Sequence, residues 1–439
     1  MRRTLAYVAR MDRPASDVAA APTEVAAREL LAIPQFRWLT ASNLAFFLAM
    51  GSQSVVRPYL AYHFTKDTFL LGVVTFAVAM PMLLLGPFGG VAADRIDRRK
   101  LILGAQAFAL AGELVTLALL VTDRLRFWHL VGTAAVMGCV FPFLMPARQS
   151  VVANLVGRPQ LGRALAITTT GINVTRVVGP ALPGLLIEQL GVKWAYLLGV
   201  LLYVVAFGCG LRLHPAPPPA QAERASVLAR VMEGVRYVRA DRAVLVLLVF
   251  GLVPMFLAMP FQTLLVVFAE EIWQQGPRGL SQLSVSMGLG GILGSMVVAR
   301  WTHTSQRARR MLFSMLAFGA LLIGFSYSPW YLAALPLVFL ANAFASWFGT
   351  LNNTAIQLLI PEAMRGRVSS FLMMSFSLPM VGSLVIGGAA KSLGAPLAVS
   401  VFAALAMAAS VAFYYGSDAL RGLDARMERD VGREGRTTA

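Results

Sequence analysis

Apolar residues run through this chain in long blocks instead of alternating with polar ones. Stretches with few charges span 38–62, 69–93, 101–122, 128–152, 162–189, 194–213, 243–270, 281–300, 311–328, 331–356, 368–390 and 396–415. A helix of about 20 apolar residues crosses the hydrocarbon core of a bilayer. The pattern therefore predicts an all-α membrane protein with about twelve transmembrane helices. Between the sixth and seventh stretches the pattern breaks. His214-Pro-Ala-Pro-Pro-Pro219 cannot continue a helix, because proline lacks the N–H and clashes with the preceding turn. Beyond it, Arg224, Arg230, Arg236, Arg239 and Arg242 alternate with Val227, Leu228, Val231, Val235 and Val238. That is a basic amphipathic helix suited to a membrane surface. The expected organisation is a segment 1–37, a six-helix bundle 38–213, a linker 214–242, a second six-helix bundle 243–416 and a tail 417–439, the two bundles pseudo-symmetric. Ala19 to Ala32 reads as a short helix ahead of Pro34, and the first 36 residues lack the apolar core of a cleavable signal.

Composition removes the soluble alternatives. The 439 residues are 57% hydrophobic and 13% charged, with mean hydropathy +0.68, about half the charge of a soluble domain. The net charge of +17 does not point to nucleic acid, since no basic run is interleaved with stacking aromatics. Lys and Arg instead follow topology. With both termini in the cytoplasm, the outer loops hold only Lys66, Arg124, Arg126, Lys193, Arg278 and Lys391. This bias is the one that orients membrane helices. Cys139 and Cys209 lie in apolar runs without a CxxC or Cys/His partner, so neither a disulfide framework nor a metal site is expected. No G-x-x-x-x-G-K-[ST], HExxH or hydrolase-type G-x-S-x-G stands in a fitting context, so neither ATP hydrolysis nor another enzyme activity is expected, and no cofactor is implied.

The halves repeat. Val178-Gly179, Gly184 and Leu190-Gly191 reappear 203 residues later as Val381-Gly382, Gly387 and Leu393-Gly394, while Ala147 and Gln149 match Ala355 and Gln357 at an offset of 208. Two six-helix halves in parallel order are a transporter layout.

The loop after the second stretch reads Gly90-Val-Ala-Ala-Asp94-Arg95-Ile-Asp97-Arg98-Arg99-Lys100. It resembles the signature loop G-x-x-x-D-R-x-G-R-R/K of the major facilitator superfamily, with Asp97 in place of the second glycine. The cognate loop, Arg300 to Arg310, keeps the charge and lacks the aspartate. Pro146-Ala-Arg-Gln149, Arg163-Ala164, Gly179-Pro180-Ala-Leu-Pro-Gly184 and Arg365-Gly-Arg367 resemble the branch that includes bacterial enterobactin-type siderophore exporters. The resemblance implies that Gly90, Asp94, Arg95 and Arg98 form a cytoplasmic latch between the halves. Asp94 would face the start of the eleventh helix near Val368 to Ser370, where a carboxylate complements the helix dipole. It also implies an antiporter-like motif at Gly179, Pro180 and Gly184, with Pro183 replacing a glycine. Drug antiporters of the superfamily often carry an arginine in the middle of the fourth helix. Val131 to Leu144 has no charge, and Arg148 lies too near the cytoplasmic end to be its equivalent.

Ionisable groups at mid-membrane depth are functional candidates. Glu113 is the proton-coupling candidate, because desolvation makes a buried carboxyl's charge depend on a cation or on water. Arg176 shares a helical face with Thr169, Asn173 and Pro180. Arg57 is in line with Asn43, Met50 and Ser54. Each guanidinium needs a carboxylate, carbonyls, water or an anionic ligand. In the family's fold the first, fourth, seventh and tenth helices line a cavity. Asn342, Ser346, Thr350 and Asn353 would face it from the tenth, and Met255, Met259 and Gln262 from the seventh. The functional expectation is a secondary transporter that exports a small amphipathic molecule by alternating access, driven by protons. It would act as a monomer in the inner membrane of a bacterium, with no nucleic-acid partner. The alternatives are a same-fold importer or lysolipid flippase, and a non-transporting membrane sensor.

Overall fold

The computed structural model describes residues 29–217, 227–300, 306–360, 375 and 377–424. Most of the residues before Pro34, Arg224, Trp301 to Ser305, Arg365 to Ser370 and the end of the tail lie outside them. Helices α1 (Pro34–Thr65), α2 (Thr68–Arg95), α3 (Arg98–Val121), α4 (Phe127–Gly157), α5 (158–190) and α6 (Val192–Leu211) form the first half. The amphipathic α7 (Val227–Ala240) follows. The second half holds α8 (Arg242–Ile272), α9 (Gly276–Arg300), α10 (Arg307–Ser326), α11 (Tyr331–Leu359), α12 (Leu378–Leu393) and α13 (Ala395–Gly416), closed by the short α14 (Asp418–Arg421). Among the described residues ten helices are long and apolar enough to cross a membrane. The stretch 158–190 and the shorter α12 occupy the places of the fifth and eleventh expected crossings.

Two elements depart from the sequence reading. No loop separates the fourth and fifth crossings: helix runs into helix across a kink at Gly157, whose φ of 69° and ψ of 170° lie in a region that only glycine adopts freely. The seventh crossing is irregular. After Arg242–Val253 it passes through a π turn (Pro254–Ala258), a 3-10 stretch (Met259–Leu264) and a second π turn (Phe268–Ile272). Pro254 and Pro260 supply no N–H to the ladder, so the backbone finds i→i+3 and i→i+5 partners instead. Aspartates start three helices. Asp67 accepts from Phe69 N and Leu70 N, Asp97 from Lys100 N, and Asp241 from Ala243 N and Val244 N, satisfying first-turn donors that have no intrahelical acceptor.

The outside of the molecule is as apolar as its inside. On α6, Leu201, Val204 and Val205 are exposed while Tyr196, Val200 and Tyr203 are buried. Such all-round hydrophobicity belongs in lipid. Trp128, Trp194 and Trp330 are exposed at helix starts on one end of the molecule, as interfacial anchors are. That end carries the α1–α2 loop and is termed the first-loop end. The opposite, linker end carries the signature loop and His214–Pro217. On α7, Arg236 and Arg239 are exposed and Val238 is buried.

The internal repeat is a repeat of contacts. Gly179 of α5 lies against Gly51 of α1, and Gly382 of α12 against the Phe256 carbonyl of α8. Gly184 meets Ser281 of α9, and Gly387 meets Thr68 of α2. Gly191 and Gly394 then close α5 and α12 with φ of 91° and 83°. The packing core shows where the halves join. Val55, Leu60, Leu71, Leu130 and Ile187, all toward the first-loop end, share one apolar cluster with the second half. Phe36, Leu39, Phe46, Ile102, Leu144, Val151 and Leu213, toward the linker end, form a separate cluster confined to the first half. Among the described residues, the apolar cluster that joins the halves reaches the first half only toward the first-loop end.

Candidate functional site

Between those clusters lies a polar layer inside the first half. Glu113 of α3 is fully buried. Arg57 Nη2 donates to its Oε1 at 2.5 Å, and Tyr196 Oη donates to its Oε2. Thr116 and Thr133 pair through their hydroxyls at 2.5 Å. One turn pair down α6, Tyr203 is buried with its hydroxyl 4.0 Å from Met137 Sδ. A guanidinium stays protonated when buried, and both oxygens of Glu113 are engaged, one by Arg57 and the other by Tyr196.

A second polar surface lines the space between the halves. On α5, Gly162, Ala166, Thr169 and Arg176 are exposed and Asn173 is half-buried. The same face continues through Pro180, Gly184 and Ile187, all buried. One helix stripe thus passes from open to sealed just beyond Arg176. The neighbouring α9 meets the Arg176 backbone at Gly288 and the Ser346 hydroxyl of α11 at Gly291, which sets these residues on two sides of the same turn. On α11 Ser346 is half-buried and Asn353 exposed, and Thr350 Oγ1 donates to the Ser346 carbonyl at 2.8 Å. Asn342 is buried, and its Nδ2 donates to Val338 O at 3.1 Å within its own helix. On α8, Met255 is half-buried in the π turn. Gln262 is exposed, its Nε2 donating to Met259 Sδ at 3.5 Å. From α1, Ser54 is exposed.

The first-loop end is sealed by bonds between the halves. Lys391 Nζ meets Asp67 Oδ2 at 2.5 Å, Tyr62 Oη donates to Glu271 Oε1, Thr68 Oγ1 donates to Gly387 O at 2.9 Å, and Ser383 Oγ to Gly72 O at 3.1 Å. Gly184 N donates to Ser281 Oγ at 2.9 Å. Lys391 and the first-turn N–H groups of α2 hold the Asp67 carboxyl below the ordinary carboxylate range, against a smaller opposing effect of burial. At the linker end the signature loop lies differently. Gly90 is exposed, with open space where a side chain would be. Asp94 is half-buried and Arg95 exposed. Arg98 is buried and turns back on its own half, its Nε donating to Ala93 O at 3.4 Å and its N to Ala216 O at 3.0 Å. Asp97, at the family's glycine position, also accepts from Ala216 N at 3.0 Å, tying the start of the linker to the loop. The Val368–Ser370 region named as partner of Asp94 lies outside the described residues.

The structure thus joins Arg57 to Glu113, and places Arg176 and Asn173 on the open face apart from them. Residues missed by sequence reasoning are Tyr196 and Tyr203, seven apart on one face of α6, and the Asp67–Lys391 and Tyr62–Glu271 bridges. A pair of tyrosines at helical spacing in an otherwise apolar crossing is the one signal that was available.

The fold is that of the major facilitator transporters. Over 86% of this chain and 98% of the other, it matches the nucleoside transporter NupG with a TM-score of 0.71 at 13% identity. A bacterial homolog of the human lysosomal transporter Spinster, in an inward-facing and unoccupied conformation, matches with a TM-score of 0.66 at 15% identity over 93% of this chain and 98% of the other. Residues 27–429 match the family described as transmembrane secretion effector, and the chain belongs to that branch of the major facilitator superfamily. It is 28% identical over 360 residues to the enterobactin exporter EntS of Shigella boydii serotype 4 (strain Sb227), covering 81% of this chain and 85% of that one. The EntS of Escherichia coli O9:H4 (strain HS) is 27% identical over the same shares. The protein is a multi-pass membrane transporter.

Proposed function

We propose that the protein exports a small amphipathic, siderophore-like molecule across the inner membrane of a bacterium, in exchange for protons. The α5 stripe, open from Gly162 to Arg176 and sealed from Pro180 onward, carries this reading. It fits a cavity that faces one side of the membrane and ends near mid-depth. The positive charge of the linker-end loops supports a cytoplasmic linker end and cytoplasmic termini, so the cavity is open inward. Export then requires rocking of the two halves: the first-loop bonds part, the linker end closes, and Gly90 and Asp94 pack across the cytoplasmic seam. Arg176 supplies the cation at the apex, Asn173, Ser346 and Asn353 supply hydrogen bonds, and Met255, Met259 and Gln262 an adaptable wall. Glu113 is the proton site, coupled through release of Arg57.

The test is flux in proteoliposomes. With a catecholate siderophore as cargo, an imposed proton gradient should drive uptake into inside-out vesicles. Arg176→Gln should lower the initial rate at least tenfold. Glu113→Gln should abolish gradient-driven flux and spare exchange. Flux indifferent to the gradient, or an Arg176→Gln rate equal to wild type, would sink the proposal.

A further inference from the structure

Arg148 of α4 is 3% exposed, and none of its three guanidinium nitrogens has a hydrogen-bond partner. Its Cζ lies 4.6 Å from the Phe46 ring centroid and 5.8 Å from that of Phe47. Tyr203 acts on it electrostatically. In the same half, Arg57 has a carboxylate partner in Glu113; Arg148 has no ion-pair partner among the described residues. Cation–π attraction recovers only a small part of the cost of burying a charge, and guanidinium does not escape by deprotonating. An ionised group that weakens the fold in this state has its partner elsewhere.

We infer that Arg148, with Phe46 and Phe47, forms a subsite for the anionic group of an amphipathic ligand. Phe47 shares a face of α1 with Met50 and Ser54, at spacings of three and four, and along it the side chains pass from buried Phe47 through half-buried Met50 to exposed Ser54. A ligand entering along this face meets the Phe47 ring before Arg148, and a change of the Phe47 rotamer would admit it. A carboxylate or phenolate takes the guanidinium's donors in bidentate fashion, and the ligand's flat apolar body rests on the two rings. The inference rests on the cavity being the substrate path, and it places the cargo's charge among the buried side chains of the first half, apart from Arg176.

The experiment uses the full chain in detergent, with salicylate as probe and its neutral isostere salicylamide. Salicylate should bind saturably and at least tenfold more tightly than salicylamide. Arg148→Met should weaken salicylate binding at least tenfold, leave salicylamide unchanged, and melt at or above the wild-type temperature without probe, since it removes an unpaired buried charge. Arg148→Lys, which keeps the charge and loses the fork, should bind salicylate with intermediate affinity. Equal binding of the two probes, unchanged salicylate binding in Arg148→Met, or a lowered melting temperature or failed folding of that variant would each overturn the subsite. If Arg176→Gln loses salicylate and Arg148→Met does not, the transport reading stands without it. If Arg148-dependent binding persists while vesicles show no flux, the transport reading fails instead.

Discussion

Arg57 and Glu113 stand 56 positions apart and meet at 2.5 Å inside the first half. Each is visible in the sequence as a charge within an apolar run; their pairing is not, because it depends on how α1 and α3 pack. Removing one partner of a buried pair leaves the other charge stranded, which typically costs about 3–5 kcal/mol. Glu113→Gln should therefore lower thermal stability by about 3 kcal/mol. The double variant Glu113→Gln/Arg57→Met should recover most of the loss. A double-mutant cycle by thermal unfolding checks this, and additive losses would show that the two groups do not act as a pair. The polar residues of α11 were equally legible as a stripe, yet Asn342 is buried and its amide donates to the Val338 carbonyl, while Ser346 and Thr350 are half-buried and Asn353 is exposed. A spacing rule names a face; it cannot say whether the face is covered.

At the scale of elements, the glycines divide by contact. Gly72, Gly184 and Gly387 sit where a Cβ would strike the opposite half, and Gly90, Gly162 and Gly349 where it would meet nothing. A Cβ at Gly387 would lie 2.5 Å from the Thr68 carbonyl oxygen, a backbone atom that cannot turn aside. Gly387→Ala should push α12 away from α2 and widen spin-label distances between the first-loop ends. Gly208→Ala, on an exposed position with open space, should leave them unchanged. Equal distances in both variants would remove the α2–α12 seam as the element that holds this end shut. The irregular α8 was half legible. Pro254 and Pro260 announced a break, but the π and 3-10 turns that absorb it follow from packing against α12 and α13.

For the whole molecule, the balance between its ends is the quantity that matters. Asp67 carries a carboxyl lowered chiefly by Lys391. A lowered carboxyl stabilises the state that lowers it at pH values above the ordinary carboxylate range, and that stabilisation is lost as pH falls through the lowered value. Spin-label distances should therefore report a closed first-loop end through neutral and mildly acidic solution, loosening only in stronger acid. Asp67→Asn should loosen it at neutral pH to the extent that strong acid loosens the wild type, and remove that dependence. Lys391 is mostly exposed, so the change in the closed-to-open ratio should be about fivefold at most. A response unchanged by Asp67→Asn would assign the acid sensitivity to other groups.

The apolar crossings and their repetition could be read along the chain, with ten of the expected twelve or so long and apolar enough to span among the described residues. They are consequences of local hydropathy and of small residues repeated at a fixed offset, and both survive without knowledge of any contact. Which charge finds which partner, that the fourth and fifth crossings join through a single kink at Gly157, and that Lys391 and Glu271 bridge to the first half at the first-loop end, were settled by tertiary packing. The same glycine-lined seams can close at either end, and only the summed contacts of distant helices choose between them.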